Sequence, residues 1–289
     1  MAVRAEQQTE SGQYVGPSAP DSPAVFTDAL RAINGTGTSL RAVRRACELL
    51  DPDARLTILV CTHQTGAGAW AAAAVSPARA RRAMAKAAEV AARAGVAAEK
   101  QLEPGGPPVE KALERAASHQ LLALGAPMVP RGAGLWIGGV ALHAVHHLPS
   151  SLLIAREPPL AAGERILLAL DGSDDAPGLT RIAARAARRL QRGVVVVHAI
   201  GAEGRSQPHH LEAECRRLGE ALGAAPELVV EAKRPVDAIL DLAREQQASM
   251  IIMGSRRVGG LRALGSVSER VAHRARSSVL IIRPEEGRT

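Results

Sequence analysis

The residues best placed to do chemistry close one apolar run and open the helical pattern after it. Met253-Gly254 ends the run, "SRRVGGLRAL" follows, and Gly265-Ser266-Val267 begins the next segment. Glycine lets a backbone come close to a phosphate, and the free N–H groups at a helix start attract anions. A second cue is "LALDGSDD", where Asp171 ends another apolar run and heads a Gly172-Ser173 turn. An acidic group there could bind a ribose hydroxyl or help hold a metal. Both cues also have a local reading. Ser266-Val267-Ser268-Glu269 is a capping box that stabilises its helix by about 1 kcal/mol with or without a ligand. Asp171 can equally serve only the turn it starts.

Other constellations carry less. His143, His146 and His147 fall at i, i+3 and i+4 of an expected helix, a spacing that can bind a metal. No carboxylate or cysteine accompanies them, and a helix end favours histidine by its dipole alone, so no metal is assigned. His209-His210 reads as part of a polar loop. Cys47, Cys61 and Cys215 are too scattered for a disulfide framework or a CxxC pair, and Cys61 lies in an apolar run as a small core residue. Neither GxxxxGK[ST] nor GxSxG occurs, and spacing assigns no histidine base to Ser173. No catalytic residue is named, and the expectation is a protein that is not an enzyme.

The elements that position these residues are built from aliphatic side chains. Of 289 residues 46% are hydrophobic, but Tyr14, Phe26, Trp70 and Trp136 are the whole aromatic set. Stacking platforms for single-stranded bases are therefore lacking. The net charge is +7, and Arg181, Arg185, Arg188 and Arg192 form a basic stripe at helical spacing. The stripe reads first as a solvated helix face, and no nucleic-acid partner is assigned. Residues 56–78 and 132–155 lack Asp, Glu, Lys and Arg, but threonines, histidines and Pro149 interrupt them, so neither reads as a membrane span. Residues 1–22 have no apolar signal region and read as a disordered tail, which places the chain in the cytoplasm.

Three segments recur in the same order. "GPPVEKALERA" (106–116) matches "RPVDAILDLA" (234–243), "LLALG" (121–125) matches "IIMG" (251–254), and "SSLLIAREP" (150–158) matches "SSVLIIRPE" (277–285). Such a series implies two copies of one fold, at 23–157 and 163–285, joined near Pro158-Pro159. In the second copy "RILLAL" (165–170), "VVVVHA" (194–199), "ELVVE" (227–231), "SMIIM" (249–253) and "SVLII" (278–282) read as strands buried on both faces, alternating with helical segments. That alternation predicts an α/β fold with a parallel sheet between helices, and ligands beyond the carboxyl ends of its strands.

Residues 165–283 resemble a universal stress protein domain. The resemblance rests on "LALDGS", "VVVVHA" and above all "MGSRRVGGLRALGSVSERVAHRARSSVLIIRP". It implies two tandem Rossmann-like domains of the adenine nucleotide alpha hydrolase-like kind, each a five-stranded parallel sheet of order 3-2-1-4-5. It also implies pairing of the halves through their last strands as an intramolecular pseudo-dimer, with "SSLLIA" and "SSVLII" at the contact. ATP-binding members carry G-x2-G-x9-G-[ST]. By resemblance the nucleotide contacts fall on Asp171, Ala199 beside His198, Met253, Gly254, Gly265, Ser266 and Val267. The implied ligand is ATP or AMP, with or without Mg, and the implied role is stress sensing or scaffolding toward unidentified protein partners. The sequence departs from the pattern at Arg257, which stands where the second glycine belongs, and only seven residues separate it from Gly265. Arg257 could add charge to a triphosphate or fill the phosphate pocket, so a nucleotide-free interaction scaffold is the competing expectation. In the first copy "AVFTD" reads as a first strand ending at Asp28 without a Gly-Ser turn. Gly125 and Gly138 keep the family spacing, but Met128 and Gly139 replace the second glycine and the hydroxyl residue, in a loop stiffened by Pro127 and Pro130. That copy is expected not to bind ATP.

Overall fold

A computed structural model describes residues 25–62, 75–105, 108–126, 129–131, 134–136, 139–147, 150–156, 165–173, 176–200, 208–255 and 267–283. The first half runs β1 (Phe26–Ala32), α1 (Gly37–Cys47), β2 (Leu50–Thr62), α2 (Pro77–Arg93), β3 (Ala97–Pro104), α3 (Pro108–Ala116), β4 (Leu121–Gly125), β5 (Val129–Arg131), β6 (Gly134–Trp136), α4 (Gly139–His147) and β7 (Ser151–Ala155). The second runs β8 (Arg165–Ala169), α5 (Ala176–Leu190), β9 (Gly193–Ala199), α6 (Pro208–Leu222), β10 (Glu227–Glu231), α7 (Pro235–Glu245), β11 (Met250–Gly254), α8 (Val267–Arg274) and β12 (Ser278–Ile282). Local signals start the helices cleanly. Thr36 Oγ1 accepts from the Ser39 amide and Ser76 Oγ from the Arg79 amide, while Pro77 and Pro235 open the first turns of α2 and α7, where no N–H partner is needed.

The two five-strand units have the expected order, β3-β2-β1-β4-β7 and β10-β9-β8-β11-β12, and all pairs within them are parallel. They do not stay separate. β7 and β12 pair antiparallel, so the chain forms one continuous ten-stranded sheet. The Leu153↔Leu280 pair sits at the centre of this seam, between Leu152↔Ile281 and Ile154↔Val279, so the register has a local two-fold axis. Serines finish both ends: the Arg156 amide donates to Ser278 Oγ (3.1 Å) and the Arg283 amide to Ser151 Oγ (3.3 Å). Every side chain of "SLLIA" and "SVLII" is buried.

One core lies on each face of this sheet, and each spans both halves. Alternate strand residues such as Ala29, Ile58, Leu153, Leu168 and Leu280 pack under α1, α2, α5 and α6. Their neighbours Leu30, Leu59, Ile154, Leu167 and Ile281 pack under α3, α4, α7 and α8. Polar ties reinforce the seam. Arg156 is buried and donates to the Ala272 carbonyl of α8 at 2.6 Å. Burial pulls its guanidinium down to about 10, so it stays charged at neutral pH. Arg189 of α5 donates to the Glu48 carbonyl at the end of α1 (3.1 Å), and His146 of α4 lies 3.6 Å from Glu269 of α8.

Three expectations need correction. The first strand does not stop at Asp28 but continues to Ala32, and the loop after β4 contains a short antiparallel hairpin, β5 with β6. His209-His210 belongs to the first turn of α6 rather than to a loop. No helix among the described residues is long and apolar enough to cross a membrane.

Shared cores on both faces should make the halves unfold together. Leu153→Ala and Leu280→Ala should each cost about 2–5 kcal/mol in denaturant titrations. Each variant should still show one transition, coincident by circular dichroism and by hydrogen exchange. Two separated transitions would show that the halves fold independently.

Candidate functional site

The carboxyl ends of β8, β9 and β11 lie side by side, because Ala169 of β8 is in register with both Val197 of β9 and Met253 of β11. Connections leave β8 toward β9 on one side and β11 lies on the other, so this edge is the point where strand order reverses. Of the residues nominated from sequence, Asp171, Ala199, Met253 and Gly254 meet here, and Val267 opens α8, half-buried against the core of its sheet face. Arg257, Gly265 and Ser266 fall within 256–266, outside the described residues, as does the capping half of the Ser266–Glu269 box.

The turn after β8 is built for exposure. Asp171 Oδ1 accepts from the Ser173 amide at 2.9 Å, an Asx turn, and Gly172 takes φ +76°. Among the described residues a Cβ added at Gly172 would meet nothing within 4 Å, so the glycine serves the backbone angle rather than a close contact with them. The sequence did not assign His198 a role, and the structure does. It is buried, and its Nδ1 donates to the Leu170 carbonyl at 2.9 Å, fixing the residue that precedes Asp171. Met253 is buried, and the Ser255 amide just beyond Gly254 continues the ladder to the Ile282 carbonyl. Gly254 has a packing reason of its own: a Cβ there would come 3.2 Å from Leu179 Cδ1 of α5.

The first half supplies an internal comparison. Ala29 pairs with Leu121 as Ile166 pairs with Met250, which sets Asn34-Gly35-Thr36 against Asp171-Gly172-Ser173. The turn expected to be missing is therefore present, after a strand longer than the sequence implied. Asn34 Oδ1 accepts from the Thr36 amide (3.3 Å), and Gly35 takes φ +77°. Its surroundings differ sharply. A Cβ at Gly35 would press on Ala83 Cβ at 3.0 Å, and one at Gly125 would lie 2.6 Å from the Thr38 carbonyl oxygen. The first turn of α1 thus sits directly on the end of β4. It is tied there by Arg31, buried near the carboxyl end of β1, which donates to the carbonyls of Ala32, Ala123 (2.7 Å) and Ser39 (2.9 Å). Burial pushes this guanidinium down to about 9, still high enough to keep its charge at neutral pH. The residue in register with Arg31 in the second half is Leu168.

The thiols are quiet. Burial first, then neighbouring glutamates, push Cys47, Cys61 and Cys215 up to about 11. His143 and His147 stack on each other with ring centroids 4.2 Å apart, and no group of three or more His, Cys, Asp or Glu that could hold a metal occurs among the described residues.

Comparison with known proteins gives concordant matches. The model of the Universal stress protein family matches residues 26–156 and again 163–283. A universal stress protein encoded in the QAH/OAS sulfhydrylase 3' region of Thermus aquaticus is 34% identical over 133 residues, 41% of this chain and 97% of that protein. Sensor protein KdpD of Mycobacterium tuberculosis is 35% identical over 99 residues, which are 33% of this chain but only 11% of the sensor. Among solved structures, a universal stress protein from Archaeoglobus fulgidus has a similar fold, with TM-score 0.67 at 20% identity over 89% of this chain and 98% of the other.

The glycine geometry separates the two halves experimentally. Gly125→Ala forces backbone against backbone and should destabilise by about 1–3 kcal/mol, whereas Gly254→Ala meets only a movable leucine tip and should cost less than about 1 kcal/mol. Equal losses in thermal denaturation would contradict the asymmetry. With thiols pushed up two units from their ordinary value, alkylation of the native protein at neutral pH should run about a hundredfold slower than that of the unfolded chain. Mass spectrometry of iodoacetamide-treated protein reads this directly, and equal rates would show that the thiols are accessible as thiolates.

Proposed function

The chain belongs to the universal stress protein family, and from that premise we propose that its carboxyl-terminal half binds an adenine nucleotide, ATP or AMP, while its amino-terminal half does not. The carrying observation is the open edge where Asp171, Ala199, Met253 and Gly254 come together, set against the crowded edge of the first half. In this reading the Asp171 carboxylate accepts from ribose hydroxyls, and the ends of β9 and β11 flank the nucleoside. The helix start after the Gly265-Ser266 pair faces the phosphates. Arg257, in place of a glycine, supplies charge to the phosphates at some cost in close backbone approach.

The nucleotide acts as a ligand that biases conformation, not as a substrate turned over rapidly. Glu269 in the first turn of α8 faces His146 of the other half, and Ala272 accepts from Arg156, so a helix that begins beside the phosphates also touches the seam. A role as a cytoplasmic stress sensor or scaffold follows: nucleotide occupancy in one half would be felt in both. The amino-terminal half then serves as the built-in partner that a single-domain relative would find in a second copy.

Isothermal titration with ATP and with AMP, with and without Mg, tests the reading. Binding to one site per chain is expected. Asp171→Ala should weaken it about ten- to hundredfold, the loss of a charged hydrogen bond, while Asn34→Ala leaves it unchanged. No heat of binding from either nucleotide would favour the nucleotide-free scaffold. Equal sensitivity to both substitutions would place the site elsewhere.

A further inference from the structure

The helices on the two faces of the sheet differ in charge. On one face α1, α2, α5 and α6 carry formal charges of +3, +4, +4 and −1; on the other α3, α4, α7 and α8 carry 0, 0, −2 and +1. Neither α1 nor α5 contains an Asp or Glu, and α2 has only Glu89. The arginine stripe of α5 alone reads as a solvated helix face. The fold sets it on the same surface as α1 and α2 of the other half, with Arg189 of α5 reaching the end of α1 at 3.1 Å. Arg44 of α1, Arg79, Arg81, Arg82 and Lys86 of α2, and Arg181 of α5 are exposed there. No side-chain ion pair to any of these six occurs among the described residues. Their placement works against the fold. No acidic residue occupies the first turn of α1, α2 or α5, and Arg79 sits in the first turn of α2, where the helix dipole repels a cation. Arg82 and Lys86 add a like-charge pair four residues apart. Charge that strains the helices and pairs with nothing in the chain calls for a polyanion outside it.

We propose that this face binds double-stranded nucleic acid through its phosphate backbone, without reading sequence. The β7–β12 seam makes the surface continuous. From α5 over β8 to α2 over β2 and β3, at about 4.8 Å per strand, the cations extend over roughly 30 Å, close to the ~34 Å turn of a duplex. Between the arginines of α2 the exposed residues include Ala78 and Ala85, so a rigid rod meets guanidinium groups before it meets bulk. A single strand fits less well, because none of the chain's four aromatic residues lies on these helices to stack an unpaired base. A lipid surface also fits less well. It would want apolar side chains to enter the headgroup boundary, and among the described residues the one exposed large hydrophobic is Leu102, on strand β3.

The test follows a fluorescein-labelled duplex of ~30 base pairs, about three turns, by fluorescence anisotropy with the full chain. Two duplexes of unrelated sequence should bind alike, and the logarithm of affinity should fall with the logarithm of salt at a slope of about −5, as expected for six phosphates. Arg44→Ala, Arg81→Ala and Arg181→Ala, on three helices from both halves, should each make that slope shallower by about one. Arg270→Ala, exposed on the opposite face, should leave it unchanged. The combined variant Arg44→Glu, Arg81→Glu and Arg181→Glu should weaken binding about a hundredfold or more. Since these substitutions relieve repulsion, circular dichroism should show melting temperatures no lower than the parent's. Absence of binding at about 50 mM salt, or binding indifferent to the combined variant, would overturn the proposal. So would an effect confined to Arg181→Ala, which would reduce the surface to the α5 stripe. Displacement of the duplex by oligo(dT) or by phosphatidylserine vesicles at lower phosphate concentration than by unlabelled duplex would also overturn it.

Discussion

Everything in this fold depends on covering two exposed sheet edges with each other. A five-stranded sheet of order 3-2-1-4-5 ends in its own last strand, and here those strands are "SLLIA" and "SVLII", with no charge to protect them. Left open, each would present unpaired N–H and C=O groups beside a wholly apolar ribbon, a template for aggregation. Antiparallel pairing of β7 with β12 satisfies both at once, and a register centred on Leu153 and Leu280 lets two near-identical segments meet as equals. Joining the edges also merges the cores on both faces. The seam is therefore the middle of the molecule's hydrophobic interior as well as a contact between halves.

Once the halves are locked together, each is free to drift without losing the fold. The first half has spent that freedom on density. A buried arginine gathers three carbonyls from β1, β4 and α1, and the start of α1 lies so close to Gly125 that no side chain fits there. The second half keeps a leucine at the arginine's register, and no described residue lies within 4 Å of a Cβ built on its turn glycine. Backbone conformation is conserved between the two turns almost to the degree, φ +77° against +76°. What differs is the neighbourhood, and that decides which edge can take a ligand.

Much of this was legible in the sequence. Four strands of the second half read as uninterrupted aliphatic runs because both their faces are buried, whereas "ELVVE" is β10 at the outer edge of the sheet and has no buried residue; the repeated "SSLLIAREP" and "SSVLIIRPE" point to the seam. The first strand runs past Asp28, although a charge in an apolar stretch looks like an end. In the structure Asp28 is a mid-strand residue with Arg55 at 3.6 Å and His119 at 3.9 Å. Arg31 masks the rest of the strand, since an arginine in a core position is intelligible only when the carbonyls that receive it are known, and two of them come from residues distant in the chain or from the next helix. The hairpin β5–β6 was hidden by Pro130 and the glycines around it, which in isolation signal a loop. At the site, strand-end residues could be assigned because parallel topology fixes where strands end. The role of His198 could not, because its bond to Leu170 crosses between strands.

Hydrogen exchange at the seam tests the central claim most directly. If β7 and β12 hold one core together, the amides of Leu153, Ile154, Leu280 and Ile281 should exchange only by global unfolding, as slowly as those in the middle of β1 and β8. Exchange in β7 and β12 at the rate of sheet edges, well ahead of β1 and β8, would mean that the halves part readily and that the continuous sheet is not what stabilises the molecule.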